Sequence, residues 1–157
     1  MTGFRRGVRL GIDVGRARIG VARCDPDGML AVPVETVARD DAALDRIAEI
    51  ATEYVPLEIV IGLPVNLRGV DTASTADARE FAAALQSRIG TPARLVDERL
   101  STVTAHAALR SSGRSQKNSR SIVDQVAAVV LLQQAIDTEK STGNPPGSTI
   151  PLDEESP

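Results

Sequence analysis

A mixed α/β domain, with one five-stranded sheet and helices on both of its faces, is what this sequence predicts, and three observations carry the prediction. The chain opens with three short apolar runs separated by turn residues, the mark of an antiparallel meander. It then alternates amphipathic helical stretches with short β-branched runs, the rhythm of parallel strands joined by helices. The core must also be aliphatic, because 42% of the 157 residues are apolar yet there are two Phe, one Tyr and no Trp. Layered helix-on-sheet packing suits such a set. A chain of this length buries roughly two-thirds of the surface its unfolded form exposes, which is enough for one core and leaves no room for a second, substrate-binding domain.

The elements follow in order. Val8, Leu10, Ile12 and Val14 alternate with Arg9, Gly11 and Asp13, a strand pattern with Asp13 at its carboxyl end. Gly15 allows a tight turn into a second strand, Arg18 to Cys24. Asp25-Pro26-Asp27-Gly28 reads as a hairpin turn, since Pro26 presets φ and Gly28 accepts a positive one. The third strand runs from Met29 to Val37. Residues 41–53 place Leu44, Ile47, Ala48 and Ala51 on one helical face. Residues 57–63 form a β-branched run expected of an interior strand, ended by Pro64, which cannot continue the ladder. A helix is predicted from about Thr72 to Ile89, stopping at Gly90, and a strand from Pro92 to Asp97. Ser101 can cap a helix over 102–111 that Gly113 closes. The last helix, Ile122 to about Asp137, is apolar around most of its circumference and is predicted to be buried. From Thr138 onward Pro, Gly, Ser and acids follow without periodicity, the composition of a disordered tail. The expected organisation is a domain over 1–137 and a tail over 138–157.

Charge and rare residues narrow the function. The net charge of −3 argues against a sequence-independent nucleic-acid binder, but the distribution argues differently. Arg5, Arg6, Arg9, Arg16, Arg18 and Arg23 share the first 24 residues with a single acid, Asp13, and Arg99, Arg110, Arg114, Lys117 and Arg120 crowd 99–123. Two such stretches can hold a polyanion locally, or they are arginines on solvated faces. No apolar run approaches the roughly eighteen residues of a membrane span, and the opening M-T-G-F-R-R-G-V-R-L lacks a long apolar signal segment. A cytoplasmic protein without membrane contact is expected. Cys24 is the only cysteine, so it reads as a small buried residue, with an intermolecular disulfide as the alternative. His106 is the only histidine, which disfavours zinc hydrolysis and paired-imidazole ribonuclease chemistry.

Three acidic positions stand at the ends of apolar segments: Asp13 in G-I-D-V-G, Asp97-Glu98 in L-V-D-E-R, and Asp124 in S-I-V-D-Q-V-A-A. Carboxylates that converge from such rigid positions form a hard-oxygen site for Mg²⁺, suited to phosphodiester hydrolysis. Each also has a plain structural explanation. Asp13 can serve as a turn former, although a carboxylate on a sheet's buried face is costly unless paired. Asp97 and Glu98 point to opposite sides of a strand, so one of them faces the site. Asp124, in the first turn of a helix, gains roughly 0.3 to 1 kcal/mol from the helix dipole without any metal. Arg16 and Arg18 beside Asp13, Arg99 beside Glu98, and Arg114, Lys117 and Arg120 on a Gly/Ser-rich loop are candidate phosphate contacts. The loop through Asn66 to Gly69 either offers backbone N–H groups to a phosphate or simply terminates a strand.

Four stretches together resemble one family: G-I-D-V-G-R-A-R-I-G-V-A (Gly11 to Ala22), I-G-L-P-V-N-L-R-G (Ile61 to Gly69), V-D-E-R-L-S-T (Val96 to Thr102) and I-V-D-Q-V-A-A-V-V-L-L-Q (Ile122 to Gln133). Their order and spacing resemble the YqgF or RuvX-like proteins of the ribonuclease H-like superfamily, described as Holliday junction resolvases and as pre-16S ribosomal RNA nucleases. The resemblance implies a ribonuclease H-like fold and carries the family's acidic triad onto Asp13, Glu98 and Asp124, with Asp97 as the substitute for Glu98. It implies two bound Mg²⁺ or Mn²⁺ ions with substrate. The chain departs from the family pattern at Arg68, where an acidic residue is usual, and at Arg120 and Ser121, where lysines are usual.

The resulting expectation is a metal-dependent endonuclease acting on structured nucleic acid, with pre-16S rRNA 5′-end maturation ahead of four-way DNA junction cleavage. A junction resolvase acts on symmetric strands and requires a homodimer, whereas RNA processing is open to a monomer. Two readings from other classes compete: an ATP-using member of the actin-like kinase group, which needs two such domains, and a catalytically weak nucleic-acid-binding module.

Overall fold

The structure is a computed structural model that describes residues 4–64, 68, 70–97 and 116–151, with 116–124 described as helix backbone only. Three strands open the chain, β1 (Arg9–Val14), β2 (Arg18–Cys24) and β3 (Ala31–Ala38). They pair antiparallel in sequence, Asp13 opposite Gly20 and Gly20 opposite Thr36. Gly28 takes the positive φ, 64°, that its turn requires. The carboxylate of Asp25 accepts the backbone N–H groups of Asp27, Met29 and Leu30. These bonds fasten the hairpin and hold the Asp25 carboxyl below the usual carboxylate range.

Helix α1 (Ala43–Tyr54) leads to β4 (Glu58–Leu63), helix α2 (Ala73–Ile89) to β5 (Ala93–Asp97), and the long helix α3 covers Gln116–Thr142. Strands β4 and β5 lie parallel to β1, and with a short last strand, β6 (Ser148–Thr149), the order is β3-β2-β1-β4-β5-β6. One face of the sheet carries Leu10, Ile12, Ile19, Val21, Ile59, Ile61 and Leu95, packed against α1 and α2. The other carries Ala22, Cys24 and Val60 under Ala128, Leu131, Leu132, Ala135 and Ile136 of α3. The aliphatic two-layer burial is thus the predicted one.

Three details differ from the sequence reading. The buried face of α1 is Ala43, Ile47, Ile50 and Ala51, because the stripe is centred on Ile47 and Ile50 and leaves Leu44 and Ala48 at its margin. Helix α3 covers Gln116–Thr142, so Lys117 and Arg120 belong to a helix and not to a loop, and Asp124 lies about two turns inside it instead of in its first turn. It also continues to Thr142, and Ser148–Thr149 then form a sixth strand, β6, antiparallel to β5. The stretch after Thr138 lacks periodicity, yet it is tied down by contacts distant in sequence: Arg94 donates to Pro146 O at 3.2 Å and Ile150 packs against the α1/α2 core.

The prediction for Cys24 holds in its first form: the thiol is fully buried and accepts the backbone N–H of Arg9 at 3.3 Å. Burial pushes its pKa up. Arg9 is buried and Arg5 half-buried, and both are paired within the protein. Glu139 of α3 takes Arg5 at 2.9 Å and Arg9 at 3.1 Å, while Glu58 takes Arg5 at 3.1 Å and Arg94 at 2.9 Å. Arg9 and Glu139 are each 2% exposed. Ions so buried are tolerable only when paired and hydrogen-bonded, and this network satisfies them at the amino end of the parallel strands.

Candidate active site

The opposite, carboxyl end of the same strands holds Asp13. Its backbone row runs Thr36–Gly20–Asp13 across β3, β2 and β1. The last β1–β4 pair is Ile12–Ile61, so the next position on β4 is Gly62, itself opposite Val96 on β5. Asp13 is half-buried, and its neighbours in register on both flanking strands are glycines. Paired residues of neighbouring strands share a face. Ala22 and Val60, both paired with Gly11, pack against α3, and Asp13, two residues beyond Gly11, lies on that same face.

Helix α3 runs antiparallel to β1 over this face. Its Glu139 meets Arg9 near the start of β1. Its middle crosses Gly11, where a Cβ would stand 2.8 Å from Leu132 Cβ and 2.9 Å from Ala128 O, so a glycine is what allows the helix to approach. Further toward the helix amino end, Gln125 Nε2 donates to Thr36 Oγ1 at 2.8 Å. That bond fixes position 125 above the register row of Asp13, and position 124 is its neighbour, one helical turn before Ala128.

On β5 the alternation is also informative. Leu95 packs in the α1/α2 core and Val96 against α3; Asp97, opposite Leu63, is exposed on the α1/α2 side. Asp97 thus lies at the same sheet end as Asp13 but on the other face. Glu98, Arg99, Asn66 and Arg114, with the predicted Ser101 cap, the helix over 102–111 and His106, lie outside the described residues. Asp124, Lys117 and Arg120 are placed by the backbone of α3. Among the described residues no cluster of three or more His, Cys, Asp or Glu is gathered.

The turn after Asp13 is tightly built. Gly15 N–H donates to Arg18 O at 2.9 Å, and a Cβ on Gly15 would lie 2.6 Å from that oxygen. Arg16 is exposed and lines an open cleft with Arg39, Ala73, Ser74 and Asp77, beside the amino end of α2. Thr72 caps that helix, its Oγ1 accepting from Thr75 N while Thr75 Oγ1 accepts from Thr72 N. Thr75 Oγ1 also contacts Pro64 O, which anchors the exit from β4 to the helix start. Arg68 is exposed in the segment between them. Arg39, which the sequence reading passed over, donates to Asp77 at 2.8 and 2.9 Å and to Gly15 O at 2.9 Å. This fork lowers the Asp77 pKa, with a smaller contribution from the charge of Arg16. No spacing rule links positions 15, 39 and 77, so only the fold reveals them.

Comparison with known proteins places the chain in a family and its fold. Residues 7–138 match the family model RuvX, described as "Holliday junction resolvase". A relative from Leifsonia xyli subsp. xyli, named "Putative pre-16S rRNA nuclease", is 60% identical over 149 residues, covering 94% of this chain and 96% of its own length. One of the same name from Streptomyces coelicolor is 52% identical over 150 residues, covering 94% of this chain and 90% of its own. Among solved structures, Thermus thermophilus RuvC in complex with a Holliday junction substrate superposes with a TM-score of 0.60 over 91% of this chain and 99% of that one, at 13% identity. That likeness shows the ribonuclease H-like fold, with six strands here in place of the expected five. No described helix is long and apolar enough to cross a membrane. By the family match over 7–138 and by relatives of this identity and coverage, the chain belongs to the RuvX family.

Proposed function

We propose that the protein is a divalent-metal-dependent endonuclease that matures the 5′ end of pre-16S rRNA, with Asp13, Glu98 and Asp124 as its catalytic carboxylates. The single observation that carries this reading is the position of Asp13, half-buried between Gly20 and Gly62 at the carboxyl end of the parallel strands, under the helix that bears Asp124. In open α/β sheets ligands gather at that end. The family resemblance selects Glu98 over Asp97, and Asp97 itself stands on the sheet face away from Asp13 and α3.

The donor set fits a hard divalent cation: carboxylate oxygens from three distant chain positions, whose mutual repulsion a cation relieves. When bound, a pair of Mg²⁺ or Mn²⁺ ions supplies an activated water and stabilises the departing oxygen. The chain's own contribution is to fix the acids. The sheet holds Asp13, the Gln125–Thr36 bond holds the amino-terminal half of α3 over its row, and close packing at Gly11 sets the distance between helix and strand. Arg16 and Arg18 beside Asp13, with Asn66, Arg99, Arg114, Lys117 and Arg120, would take substrate phosphates. The relatives' shared name favours RNA; the family description, "Holliday junction resolvase", favours a second substrate, the four-way DNA junction cut by a homodimer.

The test compares wild type and Asp13→Asn on a pre-16S leader fragment and on a synthetic four-way junction, each with Mg²⁺, Mn²⁺ or chelator. The proposal expects metal-dependent cleavage of the leader that Asp13→Asn abolishes while RNA binding remains. Cleavage of the junction alone selects the second substrate. Binding without cleavage under every condition leaves a binding module and overturns the enzyme reading.

A further inference from the structure

We infer that Arg39 is a positioning residue for the reaction: from outside the site it grips the turn that follows Asp13 and locks it to α2. This rests on the reading of Asp13 as catalytic. The turn over 15–17 is exposed at Arg16 and Ala17, and its own closure is one backbone bond, Gly15 N to Arg18 O. Arg39 adds two more from a distant position in the chain. Its backbone N–H donates to Ala17 O at 2.9 Å, extending the β2–β3 ladder, and its Nη1 donates to Gly15 O at 2.9 Å.

The guanidinium that reaches Gly15 is itself held in place. Asp77 accepts it at both oxygens, 2.9 Å from Nη1 and 2.8 Å from Nη2, and its carbon stands 4.8 Å from the centroid of the Phe81 ring. Asp77 and Phe81 lie one turn apart on α2, so the fork and the ring fix the guanidinium plane in two directions. Because Gly15 is two residues from Asp13 and adjoins Arg16, a shift of this turn displaces a proposed ligand and a proposed phosphate contact together. Small displacements of reacting groups are costly: about 1 Å can lose a factor of about 10². Only arginine presents parallel N–H groups that serve a carboxylate and a carbonyl at once, and lysine cannot replace it in such a fork.

An alternative role for the same residue is direct contact with substrate from the open cleft it lines, and the two roles predict opposite outcomes. Cleavage of a pre-16S leader fragment is measured for Arg39→Gln, Arg39→Lys and Asp77→Asn, with melting temperatures recorded alongside. Positioning predicts that kcat falls about 10- to 100-fold in all three, that KM stays within about twofold, and that the loss persists well below each melting temperature. Asp77 is surface-lying, so its variant reports even if Arg39→Gln folds poorly. Full activity in Arg39→Lys, or a lowered KM in Asp77→Asn as the freed guanidinium turns to RNA, overturns the assignment. Asp13→Asn is run in parallel. Wild-type activity there overturns the reading of the site itself, whereas an inactive Asp13→Asn with an unaffected Arg39→Gln overturns the role of Arg39 alone.

Discussion

The two ends of the parallel strands use charge in opposite ways. At the amino end, Arg5, Arg9, Arg94, Glu58 and Glu139 are interlocked and largely buried, each cation facing an acid. At the carboxyl end, Asp13 lies in a row of small residues, with glycines on both neighbouring strands. Charge that is fully matched within the protein contributes to holding it together and has nothing left to offer a ligand. A strand end flanked by glycines leaves approach open. On the proposed function, one edge of the sheet holds the fold together and the other carries the chemistry.

The largest effect that sharpens this contrast is expected at the carboxyl end. Asp13→Asn should reduce cleavage by about 10²-fold or more, while its melting temperature stays near that of wild type; loss of fold in place of activity would erase the distinction. At the amino end, Glu139→Gln should do the reverse. Removing one partner of a buried ion pair costs about 3 to 5 kcal/mol, to be read from the shift in urea midpoint, with activity per folded molecule retained at 25 °C.

The same network gives a pH dependence. Burial works against ionisation of Glu139, but hydrogen bonds and charge from Arg5 and Arg9 outweigh it and hold its pKa below the ordinary value. A depressed folded-state pKa stabilises above the unfolded value of about 4.3 and loses that stabilisation as pH falls through the lower folded value. Urea midpoints measured between pH 7 and pH 3 should therefore drop below about pH 4.3 in wild type and drop less in Glu139→Gln. An equal drop in both would mean that other carboxylates carry the acid sensitivity.

A smaller effect should couple the two ends. Gly11→Ala places a Cβ against Leu132 and the carbonyl of Ala128, and overpacking of this kind costs about 1 to 3 kcal/mol. Because relief requires α3 to lift from β1, cleavage should fall further than stability alone explains. Smallest is a change at the exposed C-cap of α1. Val55 ends α1 at φ 47° and is 77% exposed, a left-handed conformation that costs a residue with a Cβ roughly 1 to 2 kcal/mol. Val55→Gly should raise the melting temperature by a few degrees and leave cleavage unchanged.

Much of the frame was legible because it rests on local rules. Period-two alternation gave β1, Asp25-Pro26-Asp27-Gly28 gave the turn from β2 to β3, and Pro64 and Gly90 marked ends that the structure keeps. What escaped depends on contacts between distant positions. Arg5 and Arg9 read as part of a basic stretch because Glu139 is more than a hundred residues away. Arg39 drew no notice because its partners, Gly15 and Asp77, are joined to it only by the fold. β6 escaped because two residues between prolines carry no period. For the site, Asp13 was legible as a carboxylate at a strand end, while the choice of Glu98 over Asp97 needed the family pattern, because neighbouring acids at a strand end differ only in the face they take.

The most direct measurement is the anomalous signal of Mn²⁺ in crystals of the protein, with and without Asp13→Asn. The account predicts manganese at the carboxyl end of β1, bound by Asp13 together with Glu98 and Asp124, and lost in the variant. Manganese bound elsewhere, or at the same place with Asp13 replaced, would contradict it.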